Sequence, residues 1–197
     1  MLSENIKITQ KESQGFEPLP NDVFPVELLD ITSENRATYD TRLKPIAEQK
    51  FEKVLNFQFT LLDGMEDGKS LRGRNLWMNF VPTYFYVSKK NGKNKLYKIV
   101  EALLGHEITQ DDYAALEGDA TSFLNALVGK QCRVLVESKV VGDKIFSNIA
   151  NLMKSNTPIS SLTSEEKEKA KAKVKTKTQP SIQEGDPNFV DVNQIPF

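Results

Sequence analysis

Two stretches of this chain alternate apolar and polar residues on both sides of a glycine-containing turn, and a segment with helical spacing lies between them. In the first, 51–81, FEKVLNFQFTLLDG alternates up to Asp63-Gly64, and SLRGRNLWMNFV returns after the turn. The second, 131–153, alternates before and after Gly142-Asp143. Because successive side chains of a strand point to opposite faces, each stretch predicts a β-hairpin.

A strand before the first hairpin and helices between the hairpins complete the predicted fold. VFPVELLDITSE, residues 23–34, alternates with a period of two, and KLYKIVEALLG has apolar residues at helical spacing up to Gly105. Thr109 predicts the cap of a helical turn, and SFLNALVGK predicts a second short helix that ends at Gly129. The order strand, hairpin, helix, hairpin predicts a mainly β fold with a helical insertion, a five-stranded OB-fold barrel.

Changes in composition divide the chain into one domain and its flanking segments. Residues 1–21 are polar and predict a flexible leader, whereas 22–154 hold the strand and helix patterns. The apolar pattern stops after these residues, so the lysine-rich stretch 155–180 predicts a flexible linker. Residues 181–197 contain acidic residues and no lysine or arginine, and they predict a disordered acidic tail.

Charge and residue counts exclude several classes of protein. The formal net charge of −1 excludes a uniformly basic protein, so a polyanion would have to bind a local patch. With one cysteine, Cys132, and one histidine, His106, the chain forms no internal disulfide and a conventional zinc site is hard to assemble. No apolar run approaches the ~18 residues of a membrane span and no signal peptide is recognisable, which predicts a cytoplasmic protein without a membrane partner.

No catalytic pattern is found either. Residues 101–119 are acidic, but Asp111 and Asp112 are adjacent and would not face the same way on a helix, which argues against a nuclease metal site. The sequence has no Walker loop, no GxGxxG and no Ser/His/Asp set. We therefore expect a protein that is not an enzyme and that uses neither a metal nor a cofactor.

Residues 69–98 combine positive charge with aromatic rings. The window has no aspartate or glutamate, and its aromatic residues are Trp77, Phe80, Tyr84, Phe85, Tyr86 and Tyr97. Phosphates bind lysine and arginine, and unpaired bases stack on aromatic rings, so this strip is typical of a surface that binds single-stranded nucleic acid. The candidate binding residues are Lys69, Arg72, Arg74, Trp77, Phe80, Tyr84, Tyr86, Lys89, Lys90, Lys93 and Lys95.

Burial in the core is the alternative for these aromatic residues. Trp77, Phe80 and Phe85 would also suit the core of an ordinary β domain, and the run KKNGKNK is also typical of a solvated turn. The sequence leaves open which face of its strand Trp77 occupies, whereas Tyr84 and Tyr86, two positions apart, are expected to share a face. The acidic segment is interpreted as the side of the protein that repels DNA.

The last residues are apolar after a long polar run. Ile195, Pro196 and Phe197 follow Asp191 in a segment that has no core in which to bury them, which indicates docking into a pocket of another protein. An unconstrained terminus is the alternative. With this Ile-Pro-Phe tip the chain resembles the bacterial single-stranded DNA-binding proteins, and the resemblance implies a tip that docks on replication, recombination and repair proteins.

The resemblance has two parts that differ in kind. At the tip, residues 192–194 read Val-Asn-Gln where that family is strongly acidic, so the electrostatic part of docking is expected to be weaker. In the body, LRGRNLW, LYKIVEALLG and LVGKQCRVLVE are more similar to phage-encoded single-stranded DNA-binding proteins, over about residues 23–153. Both parts imply an OB fold that binds single-stranded DNA.

These features predict a protein that coats single-stranded DNA without strong sequence preference, in a bacterial or phage-infected cell. One alternative is a non-enzymatic protein–protein adaptor of phage origin, whose basic strip binds an acidic partner. A second alternative is an enzyme of nucleic-acid metabolism. The bacterial relatives are often tetramers, and a homo-oligomer stays open because the sequence has no interface signature.

Overall fold

The structure is a computed structural model and describes residues 18–90, 92–141 and 144–175. Of these residues 42% are in strands and 25% in helices. In chain order the elements are β1 (Asp22–Ala37), a short 3-10 helix (Ile46–Glu48), β2 (Phe51–Leu61), β3 (Met65–Glu66), β4 (Lys69–Ser70), β5 (Asn75–Pro82), β6 (Val87–Ser88), β7 (Gly92–Lys93), α1 (Lys95–Leu104), α2 (Gln110–Asn125), β8 (Gln131–Val141), β9 (Lys144–Lys154) and α3 (Ser164–Lys175). The prediction of a mainly β fold with a helical insertion before its last two strands is confirmed.

Five long strands form one antiparallel sheet in the order β5-β2-β1-β8-β9. The central strand β1 pairs with β8 over Asp22–Glu27 and with β2 from Val26 onward. Its register against β2 shifts between Leu28 and Asp30, and such a bulge bends a strand and increases its twist. Strand β1 thus joins the two predicted hairpins, and β5 and β9 are the edge strands. The predicted turn at Gly142-Asp143 lies outside the described residues.

Alternate residues of the long strands and one face of α1 make a single apolar core. Phe57 and Phe59 of β2 are fully buried, as are Ile99 and Val100 of α1. Cys132 of β8 lies in the same core, where burial raises the pKa of its thiol to about 12. Its burial agrees with the apolar alternation in which it stands.

Helix α1 and the start of α2 lie where the sequence predicts them, whereas α2 ends at Asn125, before the predicted stop at Gly129. Helix α1 begins after Asn94, whose side chain accepts a hydrogen bond from the Tyr97 N–H, and it ends at Gly105 in the left-handed region. Thr109 caps α2 with the Asp112 side chain in a capping box. The predicted separation into a helical turn and a second helix agrees with a break within α2 at Asp119, whose backbone is non-helical.

The C-terminal part of the described chain packs against the sheet. We predicted a flexible linker over 155–180, but Leu162 and Ala170 are buried and α3 spans Ser164–Lys175. The side chain of Gln131 donates to the Ile159 carbonyl at 2.7 Å and accepts from the Ile159 N–H at 2.9 Å. These polar contacts dock residues 159–170 although few of their side chains are apolar.

The N-terminal boundary of the domain also lies earlier than Asp22. Leu19 is buried, its N–H donates to the Ser147 hydroxyl at 2.6 Å, and its carbonyl accepts from the Ser138 hydroxyl at 3.0 Å. The end of the predicted leader is therefore packed on β8 and β9. The rest of the leader, residues 1–17, and the predicted tail, 181–197, lie outside the described residues.

Candidate nucleic-acid interface

Strand β5 presents Trp77 on its outer face. Its neighbours Leu76 and Met78 are buried in the core, and the alternation of the strand therefore turns Trp77 outward, with 36% of its surface exposed. The question that the sequence left open is answered by this alternation: Trp77 lies on the side opposite the core.

A bulge at Phe80 adds a second ring to this face. The register between β2 and β5 shifts between Leu55 and Phe57, and the intervening Asn56 accepts a hydrogen bond from the Phe80 N–H at 3.0 Å. Phe80 has a φ of 59°, in the left-handed region that phenylalanine rarely adopts. Phe80 is 46% exposed, whereas Val81 is buried in the core.

Trp77 and Phe80 line a groove between the two edge strands of the sheet. The groove has a volume of about 340 Å³, and its walls are Trp77, Met78, Asn79 and Phe80 of β5, Lys95 of α1, and Asn148 and Ile149 of β9. The exposed ammonium of Lys95 supplies a positive charge beside the two rings. Two aromatic side chains and one lysine thus line the same groove.

Arg36, a residue that the sequence did not single out, completes the aromatic face. Its guanidinium carbon lies 3.6 Å from the centre of the Phe80 ring, a distance typical of a cation–π contact. Arg36 stands near the end of β1, far from Phe80 in sequence, so no local pattern could have identified it.

The loop after β5 carries the two predicted tyrosines. Tyr84 and Tyr86 are both more than half exposed, while Phe85 between them packs edge-on against Tyr97 at 4.8 Å and Tyr113 at 5.9 Å. The Tyr97 and Tyr113 hydroxyls are joined by a hydrogen bond. Phe85 therefore anchors the loop, while Tyr84 and Tyr86 on either side of it are exposed.

The predicted cations fall into two groups. Lys69, Lys89, Lys90 and Lys95 are exposed and have no ion pair among the described residues. The remaining cations are paired with carboxylates.

Lys93 donates to Glu101 at 2.7 Å, a hydrogen bond that raises the pKa of Lys93, and Arg74 lies 3.7 Å from Glu66. The composition of residues 69–98 did not indicate these ion pairs, because Glu66 precedes this window and Glu101 follows it.

Arg72 contacts the C-terminal segment instead of the groove. Its Nε donates to Glu166 at 3.0 Å, and its other nitrogens donate to the carbonyls of Leu62, Ser160 and Ser161 at 2.6–3.1 Å. The hydrogen bond from Arg72 lowers the pKa of Glu166 to about 2. Arg72 is therefore engaged in docking α3, and the geometry does not place it with Trp77.

The acidic segment lies mainly on α2, where two of its side chains, Asp112 and Asp119, cap helical turns. Asp112 accepts hydrogen bonds from the Thr109 N–H and hydroxyl, which lower its pKa, and Asp119 accepts from the Ser122 N–H at 3.0 Å. In the described ranges no group of three or more histidine, cysteine or acidic residues is arranged to hold a metal ion. None of the helices in these ranges is long and apolar enough to cross a membrane.

The residues predicted to bind partner proteins, Asp191, Ile195, Pro196 and Phe197, lie outside the described residues. No protein-family model matches the sequence, and a search of curated proteins finds no similar protein.

Proposed function

We propose that this protein binds single-stranded DNA through the groove between β5 and β9 and the aromatic and cationic residues around it. The observation that carries the proposal is the exposure of Trp77 and Phe80 on the outer face of β5, with Lys95 beside them. Apolar rings are costly to expose, and a face that keeps two of them next to a lysine suits stacked bases and their phosphates.

The proposed fold is an OB barrel. The strand order third-second-first-fourth-fifth leaves β5 and β9 at the edges, and both strands line the same groove. A sheet of this order that curls until its edges meet would form the five-stranded barrel that commonly binds oligonucleotides. Helices α1 and α2 stand in the chain between the third and fourth long strands, as the proposal requires.

The wider role rests on the sequence alone. Coating of single-stranded DNA without strong sequence preference, in a bacterial or phage-infected cytoplasm, follows from the resemblance to single-stranded DNA-binding proteins. Recruitment of replication, recombination and repair proteins by Ile195, Pro196 and Phe197 follows from the same resemblance. Binding of this kind involves no chemical step, so the proposed protein is not an enzyme.

A protein–protein adaptor is the second candidate, and one surface favours it. The segment between β1 and β2 exposes Tyr39 at 80%, Leu43 at 93% and Ile46 at 80%. Exposed apolar side chains in one loop are typical of a surface that docks on another protein. The two candidates differ in whether the groove binds DNA.

The test is a titration with fluorescent oligo-dT and with a duplex of equal length, at two salt concentrations, followed by anisotropy and by Trp77 emission. We expect binding to the single strand that weakens with salt and quenches Trp77, because the base stacks on the indole. Absence of binding at low salt would contradict the proposal and leave the adaptor as the better candidate.

Substitution of Trp77 gives the sharpest prediction. Trp77→Ala should weaken binding to oligo-dT by about 1–3 kcal/mol, roughly 5-fold to 150-fold, through loss of one stacked base. Trp77→Phe should retain part of this energy. Met65→Ala removes an exposed apolar side chain on β3 and serves as the control, with unchanged affinity expected. Equal affinities for Trp77→Ala and the wild-type protein would show that Trp77 does not stack on a base.

A further inference from the structure

We propose that the groove between β5 and β9 holds a single unpaired nucleobase, stacked on Trp77, whose edge forms a hydrogen bond with the side-chain amide of Asn148. This inference rests on the proposed function and deepens it, because it assigns a base-reading residue at the same site. The proposed occupant of the groove is one nucleotide of a single strand.

The size of the groove sets the number of bases. A volume of about 340 Å³ is near the lower end of the ~300–1,000 Å³ that small-molecule sites span. One base with its sugar suits this volume. Neighbouring nucleotides would therefore continue outside the groove, toward exposed rings such as Tyr84 and Tyr86.

Asn148 is available for a ligand. It is exposed on β9 while its neighbour Ile149 packs against the core, so the alternation of the strand turns Asn148 to the outer side. Its amide has no hydrogen-bond partner among the described residues. Every unpaired base presents a donor and an acceptor side by side, and a carboxamide, with one acceptor and two donor hydrogens, can match them.

The other walls supply the remaining parts of a nucleotide site. Trp77 gives the face on which the base stacks, and Asn79, two residues along β5, is exposed on the same side of the strand. Lys95 stands in the first turn of α1, where its ammonium charge adds to the positive end of the helix dipole. The Lys95 ammonium and the positive end of the α1 dipole would both attract a phosphate next to the bound base.

The experiment separates base contacts from phosphate contacts. Wild-type protein and the variants Asn148→Leu and Lys95→Ala are titrated with oligo-dT and with an oligomer of equal length whose sugars carry no bases. We expect Asn148→Leu to weaken oligo-dT binding about threefold to tenfold, the effect of one lost hydrogen bond, and to leave binding of the abasic oligomer unchanged. Lys95→Ala should weaken the binding of both.

Matched variants control for fold and charge. Asn151→Leu changes an exposed asparagine of the same strand that does not line the groove, and it should bind both oligomers as the wild-type protein does. Lys130→Ala removes an exposed lysine just before β8, away from the groove, and should also have no effect.

Two outcomes overturn the inference. If Asn148→Leu binds oligo-dT as tightly as the wild-type protein, or weakens both oligomers equally, Asn148 does not contact a base although the protein still binds single-stranded DNA. If the wild-type protein binds neither oligomer, the proposed function fails together with the inference.

Discussion

Phe80 shows how a single backbone conformation can place a side chain at a surface. A left-handed φ at a phenylalanine costs free energy and persists only where surrounding contacts hold it. Here the Asn56 side chain holds it, by accepting the Phe80 N–H that the bulge removes from the ladder. Bulges of this kind are common next to functional sites because they redirect a side chain.

Asn56→Ala is expected to lower the free energy of unfolding by about 1 kcal/mol, because the Phe80 N–H loses its acceptor. It should also weaken oligo-dT binding, since the Phe80 ring is no longer held on the outer face. Urea denaturation and anisotropy measure the two effects.

Phe80→Asn is the matched variant. Asparagine tolerates the left-handed region, so the bulge should persist while the ring is lost. This variant should weaken binding with little loss of stability beyond that of the Arg36 contact. Unchanged stability in Asn56→Ala would show that the bulge does not depend on this hydrogen bond.

Local sequence predicted the exposed rings better than it predicted the fate of the cations. The period of two in β5 brings Leu76 and Met78 into the core and therefore Trp77 out of it, so the face of Trp77 follows once the core is known. Arg72, by contrast, is bound by Glu166, which lies 94 residues further along the chain. An ion pair between distant residues leaves no trace in a local charge count.

At the scale of elements, the docking of α3 depends on two ion pairs, one in which α3 supplies the acid and one in which it supplies the base. Glu166 binds Arg72, and the next residue, Lys167, lies 2.5 Å from Glu27, which is fully buried in β1. Asn75 adds a hydrogen bond to the Ala170 carbonyl at 2.8 Å. Periodic hydrophobicity could not predict this docking because polar contacts carry much of it.

The first ion pair makes stability depend on acid pH. The pKa of Glu166 is about 2 in the folded protein against an ordinary value of 4.5. Because the folded pKa is the lower one, the stabilisation is fully present above pH 4.5 and is lost as the pH falls toward 2. Urea denaturation between pH 7 and pH 2 should show this loss in the wild-type protein.

Glu166→Gln should reduce the dependence in that pH window, since glutamine has no carboxylate to protonate. The control is Glu165→Gln, an exposed neighbour in the same helical turn with no ion pair among the described residues. An equal loss of stability in Glu166→Gln and the wild-type protein over this range would contradict the assignment.

The second ion pair holds a buried carboxylate. Lys167→Met leaves Glu27 without its cation, and breaking a buried pair in this way costs up to about 3–5 kcal/mol. The double variant Glu27→Leu with Lys167→Met removes both charges and should recover much of the loss. The unfolding free energies of Glu27→Leu, Lys167→Met and the double variant form a cycle that measures the coupling between the two residues. If the losses of the two single variants simply add up in the double variant, the ion pair contributes nothing to stability.

At the scale of the whole molecule, the charges are segregated although the net charge is close to zero. The exposed lysines Lys89 and Lys90 follow the aromatic loop in the chain, whereas exposed acids such as Asp111 and Glu117 lie on α2. The lysines would attract a polyanion to the loop, and the acids would keep it off α2, whose Tyr113 packs against Phe85 of that loop.

Salt dependence tests which cations meet phosphates. For single strands the slope of log affinity against log salt is about −0.7 per phosphate contact, so each contact removed makes the slope shallower by about 0.7. Lys89→Ala combined with Lys90→Ala should therefore reduce the slope for oligo-dT, whereas Arg72→Ala should lower the melting temperature and leave the slope unchanged. A shallower salt dependence of oligo-dT binding in Arg72→Ala would show that Arg72 contacts a phosphate, as the sequence predicted.

The groove between β5 and β9 has a consequence for a chain that is still being made. Its walls come from positions as far apart as Trp77 and Asn148. During synthesis the strand that carries Trp77 is therefore made well before the strand that carries Asn148. Domains form as units during synthesis, and contacts between distant residues close late. A nascent or broken chain that lacks β9 would display Trp77 without its opposite wall. The complete site would then exist only on finished molecules, so unfinished chains would compete poorly for the DNA that finished molecules are proposed to cover.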